Sequence, residues 1–509
     1  MTRTDRSGRP NDPRGACPRR WSAGSWLAWL AAPGLLAGWA ALAAAQQPKT
    51  KAAQPPAKAQ EAAPSDEATD VEKGAVDTKA VPRTELEERY KDPRVDAALA
   101  NTFPELFGNV RKSSKSDIDR ILAAARGDGT ADARAITTYV QAQVAQLTAH
   151  RNIDAMLQPP GSPDSSRAVN AIEEAGANLL NPLIEANAAK PPNTSFRTEF
   201  TKALVRVAPD VLKNHLYARL MLMVALSRSQ DPSSATIDLF AKQLEDPNQV
   251  LSVKLLAAVG LANLAQEGKV DLVPADAARA ARALVTFLNN EKGAFWPARL
   301  RAVEALGAIR QAETRVRAPE ADVADTLVGI LSDPSERPEV RAQAAWALGM
   351  LRPFSNTKFN FGLAAFHMGL AAADIGDRVL EVQRQSDARA SRLAAALLQI
   401  ALGFEGDRSI RGAGLLHNEH SNLAPFRAAA QAIAEQVKAV AKAAVDLTEA
   451  PKARKDDARS ALSARIGELR AILGRNEPSD WSLYPDGPEF PAQRSQEAGS
   501  EGEPAGRAR

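Results

Sequence analysis

The chain has 509 residues but only one cysteine, five histidines and 5% aromatic residues. A single cysteine excludes an internal disulfide framework, multi-thiolate zinc, a Cys-ligated iron–sulfur cluster and CxxCH haem attachment. Scarce aromatics, with a hydrophobic share carried largely by alanine and leucine, argue for closely packed helices, because β-rich chains lean on branched and aromatic residues. Also missing are a GxSxG elbow, a phosphate-binding Gly-rich loop and an HExxH pair. No catalytic, cofactor-binding or metal-binding residue is therefore assigned, and no cofactor is expected. A site assembled from carboxylates on distant helices would leave no local signature.

What is present begins at the N-terminus. Residues 1–20 are polar and basic and end in Pro18-Arg19-Arg20, whereas Trp21 to Ala45 carry no charge and close on Ala43-Ala44-Ala45. These are the parts of an export signal. Retained as a helix, the apolar stretch would reach about 37 Å, enough for a hydrocarbon core of about 30 Å. Gly24, Pro33, Gly34 and Gly38 interrupt such a helix, and the alanine triplet suits a signal peptidase. The expectation is export to the periplasm or cell envelope with cleavage near Gln46; the alternative is a membrane anchor over residues 21–45. The formal charge of +3 belongs to this leader: removing its six arginines and two aspartates leaves 58 basic against 59 acidic side chains. A net charge of −1 offers no footing for a nucleic-acid partner. Cys17 leaves as well.

Residues 46–94 read as a disordered linker rich in Ala, Pro, Lys and Glu, unable to bury enough surface to offset its ordering entropy. The stretch 476–509 reads as a disordered tail, although Trp481, Leu483, Tyr484 and Phe490 would also suit a tail docked on the last helices. Between them helices are expected at about 115–126, 131–157, 164–189, 195–207, 210–229, 234–245, 250–266, 275–289, 295–311, 320–332, 337–351, 360–384, 387–403, 421–448 and 452–474. Breaks fall at Pro159-Pro160-Gly161, Pro191-Pro192, Asp231-Pro232, Asp246-Pro247 and Asp333-Pro334.

Four segments resemble one another without gaps: LYARLMLMVALS (216–227), LSVKLLAAVGLA (251–262), WPARLRAVEALG (296–307) and PEVRAQAAWALG (338–349). Arg219, Lys254, Arg299 and Arg341 share one column, and Leu226, Leu261, Leu306 and Leu348 another. Small residues Ala225, Gly260, Ala305 and Ala347 precede the leucines. Segment ends are 35, 45 and 42 residues apart, the length of a two-helix repeat, and a shorter apolar helix precedes each later segment. These units resemble HEAT repeats, which implies an all-α solenoid of stacked antiparallel helix pairs. The expected organisation is a less regular helical part over 95–209, HEAT-like repeats over 210–404 and a helical hairpin over 405–475. One such pair cannot enclose its own apolar faces, so its neighbours complete the core.

Each basic residue of the last three segments has an acid eight positions earlier: Asp246 to Lys254, Glu291 to Arg299 and Asp333 to Arg341. The resemblance implies an Asp/Arg ladder through the stack. A second feature is Phe354, Phe359, Phe361 and Phe366, four of the fourteen phenylalanines within thirteen residues, where the spacing between repeat ends jumps to 54. They either seal a joint between mismatched repeats or line a recognition notch for a protein or peptide partner. His417-Asn418-Glu419-His420 is the one local cluster with metal-binding side chains, and its surroundings read as a solvated loop. The functional expectation is a non-enzymatic scaffold for protein–protein interaction. The alternative is a ligand-binding protein or enzyme with its site in the Phe354–His420 region.

Overall fold

The structure, a computed structural model, describes residues 92–485 apart from 101–102, 157, 159–161, 266–269, 316–320, 353–357, 407–409, 411 and 419–420. The leader, most of the linker, Phe354, Glu419, His420 and Phe490 lie outside the described residues. Within them are 17 α-helices and no strand. None of these helices is long and apolar enough to cross a membrane.

Six helices form the first part: α1 Arg94–Leu99, α2 Lys115–Arg126, α3 Ala133–Thr148, α4 His150–Met156, α5 Pro163–Ala188 and α6 Thr194–Val211. The helix expected over 131–157 is two, because Ala149 turns extended between α3 and α4. Pro209 does not break α6. The break comes instead at Lys213–His215, where the His215 ring caps the next helix, α7 Leu216–Ser227.

From there the chain alternates between an outer amphipathic helix and an inner apolar one. The outer helices are α8 Ser234–Glu245, α10 Pro274–Asn290, α12 Asp322–Ser332 and α14 Phe361–Gln383. The inner ones continue from α7 as α9 Leu251–Leu264, α11 Trp296–Ile309, α13 Pro338–Met350 and α15 Asp387–Glu405. Each inner helix packs on the next inner helix, and each outer helix on the next outer one, which is the stacking of a solenoid. The closing pair, α16 Arg427–Glu449 and α17 Lys455–Arg475, is reversed. Here the first helix packs across both α15 and α14, and the second against the outer α14. α17 buries only the stripe Leu462, Ile466, Leu469 and Leu473 and turns a polar face away, as a terminal capping helix must.

Small residues let neighbouring helices approach, within a pair and between pairs. A Cβ on Gly260 would fall inside the envelope of the Phe240 ring, and one on Gly307 inside that of Trp346. Ala257, Ala258, Ala302, Ala305, Ala344 and Ala347 are all buried between layers. The core therefore closes with few large side chains, as the composition requires.

Both chain ends are tied to the stack. Residues 92–94, placed by the sequence in a disordered linker, are docked: Asp92 Oδ2 accepts from the Leu251 N–H at 2.7 Å. The expected disordered tail is likewise corrected over 476–485. The Leu483 carbonyl accepts from Asn360 N–H at 2.9 Å, and the Tyr484 hydroxyl accepts from Ala321 N–H at 2.8 Å while donating to Asp325 at 2.7 Å. These apolar side chains had partners, so docking outweighed chain entropy.

Candidate interaction surface

The ladder is present, but its rungs are not those the spacing suggested. Lys254 Nζ pairs with Glu291 at 2.8 Å, Arg299 with Glu336 at 2.6 Å and Arg341 with Asp374 at 3.1 Å. Each cation reaches forward to an acid in the next helix pair instead of back to its own turn. Asp246 and Asp333 close their turns locally, accepting from Asn248 N–H and Ser335 N–H at 2.8 Å. Arg299 meets the backbone carbonyl of Glu291, not its carboxylate. The reason is direction: a long side chain near the start of an inner helix points along the stack, while an Asp at a turn is short enough to cap its own backbone. Arg219, first in the column, uses the Gln249 amide at 3.1 Å.

These are buried groups. Lys254 and Arg341 are each 2% exposed and Arg299 is 5% exposed. Arg299 also donates to the Leu288 carbonyl at 2.9 Å, and Arg341 to the Leu331 carbonyl at 2.9 Å. Burial alone would raise the Glu291 carboxyl, but bonds from Arg94 and Lys254 outweigh it and hold it below the usual carboxylate range. The buried cations of the ladder are thus internal bracing, each committed to its acid.

The phenylalanine notch is corrected for its described members. Phe359 and Phe361 are buried and meet edge-on at 5.1 Å, and Phe359 packs against Tyr484 at 6.1 Å. Phe366, also buried, meets Trp481 at 5.6 Å. The docked C-terminal segment fills the position a partner would have taken, so these rings form a joint. Beside them His367 is buried, and burial, then the Arg341 charge, lowers its pKa to about 4. His417 lies in a short 3-10 turn, and among the described residues no three His, Cys, Asp or Glu side chains could hold a metal ion.

The surface that does stand open was not singled out from the sequence. On α7 the residues Tyr217, Leu220 and Val224 are half-buried, while Met221 packs on Gly176 of α5, and on α9 Leu255, Leu256, Val259 and Ala262 are half-buried. Their spacing of three and four places each set on one helix face. Half-buried apolar side chains recur at Trp296 and Leu300 on α11 and at Trp346 on α13, and on α15 Leu398 and Leu402 are 45% and 46% exposed. An apolar helix normally implies burial all round. α7 and α9 are apolar nearly all round and yet leave side chains half-open. Periodicity cannot flag this, because the apolar stripe merges with the apolar core around it.

Among known families, the model of the HEAT-like repeat matches residues 296–351, which span α11, α12 and α13. Neither the curated proteins nor the solved structures give a match to the chain. The matched segment is a HEAT-like repeat, and the stack of helix pairs that continues on both sides of it is an α-solenoid.

Proposed function

We propose that this protein is an exported scaffold of the cell envelope that holds a protein or peptide partner against the apolar stripe of its inner helices. The observation that carries the reading is that stripe: leucines, a valine and aromatics left half-open on consecutive helices, at a hydration cost that folding alone does not explain. The HEAT-like pair supports a scaffold role, since such repeats often mediate protein interactions. Export rests on residues 1–45, whose basic start, apolar run and alanine triplet match a signal. The reading assigns the protein no catalysis, cofactor or nucleic-acid ligand.

A photo-crosslinking amino acid placed at Leu256, Leu300 or Leu402 tests the surface, with Lys242 on the exposed side of α8 as the control. One envelope protein captured from all three stripe positions and absent from the control is expected. Equal capture at Lys242, or none at the stripe, would remove the proposal. Compartment is tested separately by N-terminal sequencing of purified protein, with a start near Gln46 expected and an intact Met1 on cytoplasmic protein contradicting it.

A further inference from the structure

Residues 92–100 and 103–107 pass along the helix ends, from the α3–α4 junction to the starts of α7 and α9. Leu106 N–H donates to Thr148 Oγ1 at 3.0 Å, and Asn214 Nδ2 donates to the Pro104 carbonyl at 2.9 Å. His150 Nε2 lies 2.6 Å from the Phe103 carbonyl and His215 Nε2 lies 3.1 Å from that of Leu99. The Arg219 guanidinium sits 5.6 Å above the Phe103 ring. This strap passes the start of α7 and ends against α9 and the turn before α11.

At that end the contacts define a socket. Asp92 Oδ2 takes the 2.7 Å bond from Leu251 N–H, the first amide of α9, whose preceding residue Val250 supplies no side-chain cap. The first turns of α11 and α13 each contain a proline, which has one fewer amide to satisfy. Asp92 Oδ1 also accepts from Arg94 Nε at 2.7 Å, fixing the two side chains together. Arg94 Nη1 then donates to the Pro247 carbonyl at 3.2 Å and to Glu291 Oε1 at 2.6 Å. Without the strap, a helix amide, a carbonyl and a carboxylate steadied by Lys254 would face outward together. That set complements a helix-start segment in which a carboxylate precedes an arginine by two residues.

The strap is held by polar bonds more than by apolar burial. From Asp92 to Ala100 only Ala98 is buried, while Pro93, Asp96, Ala97 and Ala100 are exposed. Its helix α1 spans six residues, below the length at which a helix persists unaided. Segments with few buried contacts open first in the native state.

We propose that the socket of Leu251 N–H, the Pro247 carbonyl and Glu291 docks an Asp-x-Arg segment of a partner protein that turns into a helix at its arginine, with Asp92-Pro93-Arg94 as the internal occupant the partner displaces. The socket sits at the ends of the inner helices and the apolar stripe on their faces, so this inference stands or falls apart from the stripe. The probe is a fluorescein-labelled peptide with the sequence of residues 88–100, added to the full-length protein and to a full-length double variant, Asp92→Ala with Arg94→Ala. Freeing the socket raises the competent fraction, so the variant is expected to bind the peptide about tenfold tighter than wild type. A peptide with the same two substitutions is expected to lose that binding, as is the double variant with Glu291→Gln added. Hydrogen exchange supplies the second readout: the Leu251 amide exchanges faster in the double variant and is protected again by the peptide. Equal affinity of both peptides, no binding to the double variant, or an unchanged Leu251 exchange rate would each overturn the proposal.

Discussion

Where α9 meets α11 and α11 meets α13, the facing residues are alanines and glycines crossed by one charged rung. Where α14 meets the C-terminal segment, they are aromatic: Phe359, Phe361, Phe366, Trp481 and Tyr484. The first joint repeats because neighbouring units have matching shapes, so small residues suffice for close approach and the rung fixes register. The second closes a mismatch, since the final pair α16 and α17 is reversed and the spacing between repeat ends is longer. Large rings fill the irregular volume that alanine cannot. Bracing by charge and filling by aromatic rings make different demands on mutation and on pH.

The largest effect is expected at the aromatic joint. Phe361→Ala should cost about 3–5 kcal/mol of unfolding free energy, because a ring that is 0% exposed leaves a cavity. Chemical denaturation measures it; a loss below about 1 kcal/mol would mean that the joint collapses around the gap.

The same joint carries the pH sensitivity. His367 is held neutral, with its pKa lowered from an ordinary value near 6.5 to about 4 by burial first and the Arg341 charge second. Between about pH 6.5 and 4 the unfolded chain binds a proton that the folded chain refuses, so stability falls as pH falls through that window. The expected loss is about 3 kcal/mol, and it levels off below pH 4. His367→Gln should flatten this part of the pH profile; an unchanged slope would assign it to other groups.

The rungs follow, and they are graded. Arg299→Ala should cost about 2–3 kcal/mol, because it strands a mostly buried Glu336 and the Leu288 and Glu291 carbonyls. Arg341→Ala should cost less, about 1–2 kcal/mol, since Asp374 is 36% exposed and water replaces its partner. Equal costs would show that the carbonyl bonds, which both residues make, outweigh the carboxylates.

How much of this was legible in the sequence differs between the joints. The column of Arg219, Lys254, Arg299 and Arg341 identified the braced side chains, and the alanines and leucines beside them gave the solenoid. It did not identify the acids, because a forward pair such as Arg299 with Glu336 depends on how one unit is rotated against the next. The aromatic cluster was visible, but the segment that covers it lies more than a hundred residues further on, in a stretch whose composition suggested disorder. The two chain ends share this concealment. Asp92 satisfies α9 and Tyr484 satisfies α12, each supplying from a distance the cap that the helix lacks locally. Local sequence shows that a cap is missing; only the fold shows where it comes from.

The central claim is that stability resides in the joints while binding resides on the open stripe. The direct test compares Leu398→Asp with Leu402→Asp, made together on the exposed face of α15, against Arg299→Ala, measuring denaturation midpoint and recovery of the crosslinked partner for each. The account predicts that the stripe variant keeps its stability to within about 0.5 kcal/mol and loses the partner, while Arg299→Ala loses stability and retains the partner under folding conditions. A stripe variant that still recovers the partner at the wild-type level would contradict it.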